Sequence, residues 1–211
     1  MAEAPQKVLD VFFEKRLHMQ DSLCFYLLLS YESKCYYYLN RMEDAFRTNK
    51  EVIRYCTDHA SFDRSRVLLA EAFNNQGVYW QELGERDSAI RVLKSSVDIL
   101  QTVRNRSILT SVYINLADCH LQKGDYPHCG FYYRKALLVA DSLGLGYRDH
   151  FAIYSGLAKL YLELENFPEA NEYFVKAEQI GNSCTPYERY FFSNTRGNYY
   201  YCLLYTSPSP R

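Results

Sequence analysis

The densest grouping of side chains able to hold a metal ion or move a proton is Cys119-His120 followed by His128-Cys129. Two thiolates and two imidazoles are a zinc-binding set, but the grouping matches no standard zinc spacing. The seven cysteines are Cys24, Cys35, Cys56, Cys119, Cys129, Cys184 and Cys202. They contain no C-x-x-C pair, so neither a dithiol redox motif nor a zinc ribbon is read from them. Cys129 reads as a small buried hydrophobe, and structural free thiols fit a reducing compartment. The five histidines, His18, His59, His120, His128 and His150, are spread along the chain, and His120 is expected to be a packed ring rather than a ligand or base. Glu163-Leu164-Glu165 reads as a solvated helix end. No G-x-x-x-x-G-K-[ST], G-x-G-x-x-G, G-x-S-x-G or H-E-x-x-H occurs, and Gly144-Leu145-Gly146 has no strand before it to make a phosphate loop. The residues present are therefore expected to be non-catalytic, with no metal and no cofactor.

Composition narrows the class further. The chain is 48% apolar and 23% charged, with a formal net charge of −1, a globular composition without the basic excess that a nucleic-acid surface needs. No run of about 18 apolar residues is present to span a membrane. Charges at Glu3, Lys7, Asp10, Glu14, Lys15 and Arg16 leave no secretory h-region in the first twenty residues. A cytoplasmic location is expected.

The elements that position these side chains announce themselves through small residues. Gly77, Ala117, Ala158 and Gly197 recur at spacings of 40, 41 and 39, and Ala89, Cys129 and Ala170 follow the first three by twelve. A fixed period of this size is the mark of a stacked helical repeat. Phe73, Val78, Trp80 and Leu83 fall at helical spacing, and Gly84 can end that helix in a left-handed cap. Ala89, Ile90, Leu93, Val97 and Leu100 then share one face of a second helix. In the next copy Asp125 is a natural N-cap and Pro127 falls in the first turn. In the third, Glu165 replaces the inter-helix glycine, making a less ideal turn.

The pattern resembles the tetratricopeptide repeat family. The roles of that family fall on Phe73, Gln76-Gly77, Trp80, Ala89, Leu93 and Ser96, then on Tyr113, Leu116-Ala117, His120, Cys129, Tyr133 and Ala136. In the third copy they fall on Tyr154, Leu157-Ala158, Tyr161, Ala170, Phe174 and Ala177. Gln76, Ser96 and His120 depart from the pattern. The resemblance implies an all-α fold, a right-handed superhelical α-solenoid of antiparallel helix hairpins. The period exceeds the usual ~34 residues, which implies helices about a turn longer or extended linkers.

A more worn copy precedes these, with Leu29, Ser33, Tyr36, Leu39, Ala45 and Val52 in the same register. Asn40 followed by Glu43 reads there as a capping box. A helix over 4–19, with Val8, Val11, Phe12 and Leu17 inward, is expected to cover that end. At the other end, 190–201 reads as the first helix of a fifth repeat. Residues 202–211 (Cys-Leu-Leu-Tyr-Thr-Ser-Pro-Ser-Pro-Arg) resemble the translation of a transposon-end adapter used in sequencing libraries. The expected organisation is an α-solenoid over 1–201, of about four repeats and half a fifth, followed by a non-native tail. The half repeat would leave Phe191, Phe192, Tyr199 and Tyr200 partly uncovered and so promote association.

Stacked hairpins present a face lined by their first helices, so the expected function is a protein- or peptide-binding scaffold or sensor. The expected groove residues are Asn74, Val78 and Gln81, then Ile114, Asp118 and Gln122, then Ser155 and Lys159, with Glu163 beyond them, and finally Asn194 and Asn198. Amides there can both donate to and accept from an extended peptide backbone. The alternative is the N-terminal regulatory half of a larger bacterial signalling protein (a diguanylate cyclase, histidine kinase or helix-turn-helix regulator), by analogy of repeat type.

Overall fold

One residue in the left-handed region ends the first helix of each hairpin, glycine in two of four cases, and that turn geometry recurs down the chain. The computed structural model describes residues 3–17 and 21–181, with Ser193 and Gly197. Among the described residues the regular elements are helices: α1 Glu3–Leu17, α2 Ser22–Tyr38, α3 Met42–Asp58, α4 Asp63–Glu82, α5 Arg86–Leu100, α6 Leu109–Gln122, α7 Tyr126–Leu143, α8 Tyr147–Glu163 and α9 Phe167–Gly181. The turns α2–α3, α4–α5, α6–α7 and α8–α9 each place one residue in the left-handed region: Asn40 at φ 58°, Gly84 at 80°, Gly124 at 72° and Glu165 at 56°. The next N–H in each turn donates back into the helix, from Arg41 to Tyr36, Glu85 to Trp80, Asp125 to His120 and Asn166 to Tyr161, all at 2.9 Å. These are the long bonds of a Schellman turn, and they satisfy carbonyls the helix end would otherwise leave open.

Two expectations about turns meet this geometry differently. Gly84 ends α4 as read from the sequence, and Asp125 caps α7, accepting from the backbone N–H of His128, with Pro127 in the first turn. Asn40 is no N-cap. It occupies the left-handed position, and Arg41 stands at the α3 N-cap without a side-chain capping bond. Asparagine tolerates the left-handed region nearly alone among residues with a Cβ, and here that property prevails over its capping role.

The residues form two compact units, 1–119 and 120–211. In the first, α2 pairs with α3 and α4 with α5, α1 lies on α2, α3 on α4, and α2 beside α4. In the second, α7 packs on α8 and α8 pairs with α9. Ala45, Ala89, Ala117, Cys129, Ala158 and Ala170 are all fully buried, as the small-residue beat requires. Gly77 faces Leu93 so closely that an added Cβ would lie 2.5 Å from Cγ. Ser96, where sibling repeats carry Ala136 and Ala177, donates its hydroxyl to the Ala70 carbonyl at 2.7 Å and is fully buried. Ser33 donates likewise to the Ala45 carbonyl at 2.8 Å, and Asn49 to the Ala72 carbonyl at 2.9 Å. Buried polar groups here are thus spent pinning neighbouring helices.

Some core expectations need correction. In α1 the inward residue is Leu9, 1% exposed against Cys35, Tyr36, Ala45 and Tyr79, with Phe12 beside it, whereas Val8 and Val11 are exposed. The apolar residues of α1 surround much of its circumference, so periodicity did not single out Leu9. Leu83, the C-cap of α4, is exposed, and the deep aromatic of that helix is Tyr79, whose hydroxyl meets Ser33 Oγ at 2.8 Å. The long period goes partly into helix, α4 running 20 residues and α7 18, and partly into the extended α5–α6 connection over 101–108. No helix among the described residues is long and apolar enough to cross a membrane.

Candidate functional site

The stripe that carries Asn74, Val78 and Gln81 continues upstream on α4 through Arg64, Val67 and Glu71, at steps of three and four residues. The facing stripe of α2 runs Leu23, Leu27, Ser30 and Lys34. Where the two stripes meet in their lower halves, polar groups close the gap. Lys34 pairs with Glu71, and Asn75 Nδ2 donates to Ser30 Oγ at 3.4 Å. One helix further on, Asn115 Nδ2 donates to Asn74 Oδ1 at 2.9 Å. Toward the helix N-termini no such pairs form, and a cavity of about 410 Å³ opens between Leu23, Cys24 and Leu27 of α2, Val67 and Leu68 of α4, and the α5–α6 connection at Arg104 and Asn105. Its floor is aliphatic and its rim charged. Asp63 pairs with Arg66 at 3.7 Å and Glu71 with Lys34, while Arg64 and Arg104 are exposed and pair with no carboxylate among the described residues. The cavity therefore presents an apolar socket beside two uncompensated guanidinium groups, which recognise carboxylates bidentately.

The expected groove residues are distributed around this socket and away from it. Asn74, Val78 and Gln81 are partly exposed on α4 in the same stripe, and Asn74 already accepts a hydrogen bond from Asn115. Ile114 and Asp118 are partly exposed on α6 in the first unit. Gln122 is exposed, and Ser155 and Lys159 are partly exposed, in the second unit. Asn194 and Asn198, with the half repeat and the tail, lie outside the described residues. Sequence reasoning missed Leu27, Arg64, Val67 and Arg104. The signal for three of them was present, since extending each stripe upward by two turns reaches Leu27, Val67 and Arg64. Arg104 sits in a connection, where no periodicity points to it.

A second polar constellation occupies the α6–α7 turn. His120 is 7% exposed, and its Nδ1 lies 2.9 Å from Asp125 Oδ2. His128 Nδ1 lies 2.9 Å from both oxygens of the same carboxylate. The two imidazoles stack with centroids 5.0 Å apart, and His120 stacks on Tyr132 at 5.4 Å. Hydrogen bonds from His128, then from His120, hold the Asp125 carboxyl below the usual range. His120 is thus a packed ring, as expected, but one with a polar partner. The flanking cysteines take no part: Cys119 and Cys129 are fully buried, and burial pushes the Cys119 thiol up to about 12.

Comparison with known proteins places this architecture. Residues 107–183 match the tetratricopeptide repeat family. No curated protein sequence matches the chain. Among solved structures, aspartyl phosphate phosphatase F from Bacillus subtilis superposes with a TM-score of 0.76 at 13% identity, over 88% of this chain and 48% of that one. A signal transduction ATPase with numerous domains, carrying a tetratricopeptide repeat sensor, from Pyrococcus horikoshii has a TM-score of 0.69 at 20% identity, over 84% of this chain and 27% of the other. A Rap protein complexed with competence and sporulation factor has a TM-score of 0.69 at 13% identity, over 85% and 50%. The chain spans between about a quarter and a half of these three proteins. Residues 107–183 thus match the tetratricopeptide repeat model, and the likeness to solved structures extends the same helical fold over the N-terminal described residues.

Proposed function

We propose that the chain is a docking module for an extended peptide, and that the socket between α2 and α4 takes one apolar side chain with an acidic neighbour on Arg64 and Arg104. The observation that carries this reading is the 410 Å³ aliphatic cavity rimmed by two arginines without carboxylate partners. A leucine- or phenylalanine-sized side chain buried there contributes about 1.5–3 kcal/mol, and the flanking carboxylate supplies orientation and on-rate. The amides below the socket, where Asn74 and Asn115 are already bonded, set helix spacing and leave the apolar socket to choose the ligand. The Rap protein complexed with competence and sporulation factor supports a binding role for this fold. The residues present act by binding and not by catalysis, in a cytoplasmic setting.

The test is a selection from a random displayed peptide library against the full chain, followed by affinities for the enriched sequence. An apolar-acidic consensus that loses about tenfold or more on Arg64→Glu with Arg104→Glu, a change of about 1.4 kcal/mol or more, supports the reading. Peptides whose binding is untouched by both that pair and Val67→Lys would refute it.

A second reading treats the module as the sensor part of a longer signalling protein, because the repeat sensor of the signal transduction ATPase has this fold and the chain spans only 27% of that protein. Recovery of the uninterrupted gene tests it: an output domain downstream supports it, and a stop codon after one further capped repeat refutes it.

A further inference from the structure

The turn between α6 and α7 brings three donor atoms to one point, and their chemistry differs from that of the peptide socket. We propose that His120, Asp125 and His128 form a binding site for a borderline divalent transition-metal ion, zinc in the first instance. One ring nitrogen of each histidine and one Asp125 carboxylate oxygen lie within 4.8 Å of one another. Each imidazole nitrogen is 2.9 Å from the carboxylate. Tetrahedral zinc holds nitrogen and oxygen ligands at about 2.0–2.2 Å, which separates neighbouring donors by roughly 3.3–3.6 Å. The required adjustment is therefore a few tenths of an ångström at the carboxylate and a swing of one ring. The ring able to swing is His128, whose side chain is 62% exposed.

The other two ligands are held in place. His120 is buried against Tyr132, and the Asp125 N–H donates to the His120 carbonyl at 2.9 Å, closing the turn between them. Gly124, at φ 72°, makes that closure possible. Two imidazoles and one carboxylate suit zinc, cobalt, nickel or copper, whereas calcium and magnesium call for oxygen ligands. The fourth coordination position lies beside exposed His128 and half-buried Asp125, where water can fill it. The equivalent positions of the sibling turns hold Trp80, Glu85 and Ser88, or Tyr161, Asn166 and Glu169. The donor set thus belongs to this turn alone among those two siblings. A bound ion would fasten the end of α6 to the first turn of α7.

The full chain, stripped with chelator, would be titrated with zinc chloride by calorimetry and with cobalt(II) by absorption. The expected result is a site whose affinity falls about tenfold or more in both Asp125→Asn and His128→Gln, since loss of a ligand costs at least as much as loss of a supporting contact. Asparagine still caps a helix and position 128 is exposed, so both variants are expected to keep wild-type far-UV circular dichroism. Cobalt should give visible ligand-field bands without the near-ultraviolet thiolate charge-transfer band. Absence of binding, wild-type affinity in either variant, or a thiolate band would each overturn the proposal, the last by placing the metal on cysteine.

Discussion

Gly77→Ala is the substitution on which a pattern-based and a structure-based argument disagree most sharply. By pattern it is benign or better, because the same position holds Ala117 and Ala158 in the sibling repeats and alanine gains about 1 kcal/mol over glycine inside a helix. The structure argues the reverse. A Cβ at 77 would stand 2.5 Å from Leu93 Cγ, 2.6 Å from Cδ2 and 3.2 Å from Cδ1. Cγ is the branch point of that side chain, so a rotation of the methyls alone does not relieve the contact. Leu93 is fully buried, which leaves α4 and α5 to move apart. Overpacking of this kind costs about 1–3 kcal/mol, and subtracting the propensity gain leaves a net loss up to about 2 kcal/mol. Near 200 residues each kcal/mol moves the midpoint by roughly 2–4 °C, so the melting temperature should fall by up to about 8 °C. Urea and thermal unfolding followed by far-UV circular dichroism read the difference. Leu93→Ala should cost about 2–5 kcal/mol alone, and the double variant should cost less than the sum because the new methyl enters the vacated space. A Gly77→Ala protein more stable than wild type, with additive behaviour in the double variant, would refute the seating of Leu93 on Gly77.

Three further outcomes follow from particular contacts. Glu165→Gly should raise stability by about 1 kcal/mol, because Glu165 sits at φ 56° where a side chain is disfavoured; an unchanged melting temperature would argue that the turn is not left-handed. The Asp141 hydrogen bond, at 2.9 Å, raises the His150 pKa above the usual imidazole value. Its stabilisation is then complete below about pH 6.5 and lost as pH rises through the raised folded value. Asp141→Asn should therefore cost about 0.2–1 kcal/mol in mild acid and nothing in mild alkali, and a cost that persists in alkali would show the pair is not ionic. In native protein, maleimide should modify exposed Cys24 and spare Cys35, Cys56, Cys119 and Cys129 until denaturant is added. Burial pushes Cys56 and Cys119 up to about 12, so native labelling of either at the Cys24 rate, read by peptide mapping, would contradict the core assignment.

What the sequence disclosed and what it withheld divide along one physical line. Small residues and glycines are legible because a close approach or a left-handed turn admits few alternatives: Gly84 and Gly124 end their helices, and Ala89, Ala158 and Ala170 are buried without exception. Asn40 was ambiguous because one side chain suits both a cap and a left-handed turn, and only the bond from Arg41 N–H to the Tyr36 carbonyl decides between them. Ser96 looked like a departure from pattern until its bond to the Ala70 carbonyl supplied a reason for the hydroxyl. The groove was read from Asn74 onward because the register was anchored on Gly77, so the two helical turns above it were left out. Asp125 was recognised as a cap and His120 as a packed ring, but their meeting depends on a turn that brings residues five apart within 2.9 Å.

The location of the socket follows from how the first helices are spaced. Adjacent repeats could meet along the whole length of α2 and α4, but the bonds between them cluster in the lower half, at Ser30 with Asn75 and at Lys34 with Glu71. Such pairs fix distance at little net gain, because each exchanges water for a protein partner. Above Glu71 the stripe turns aliphatic, with Leu23, Leu27 and Val67, and side chains of that kind cannot bridge a gap already set by longer polar pairs. The remaining space is filled by solvent or by a ligand, and burying its aliphatic floor rewards the ligand. Glu71 marks the boundary: its carboxylate is paired with Lys34, while Arg64 and Arg104 pair with no carboxylate among the described residues. Glu71→Gln should therefore leave the socket in place, weaken the fixing of α2 on α4, and alter peptide affinity far less than loss of either arginine. An affinity loss equal to that of Arg64→Glu would move the recognition centre from the arginines to Glu71.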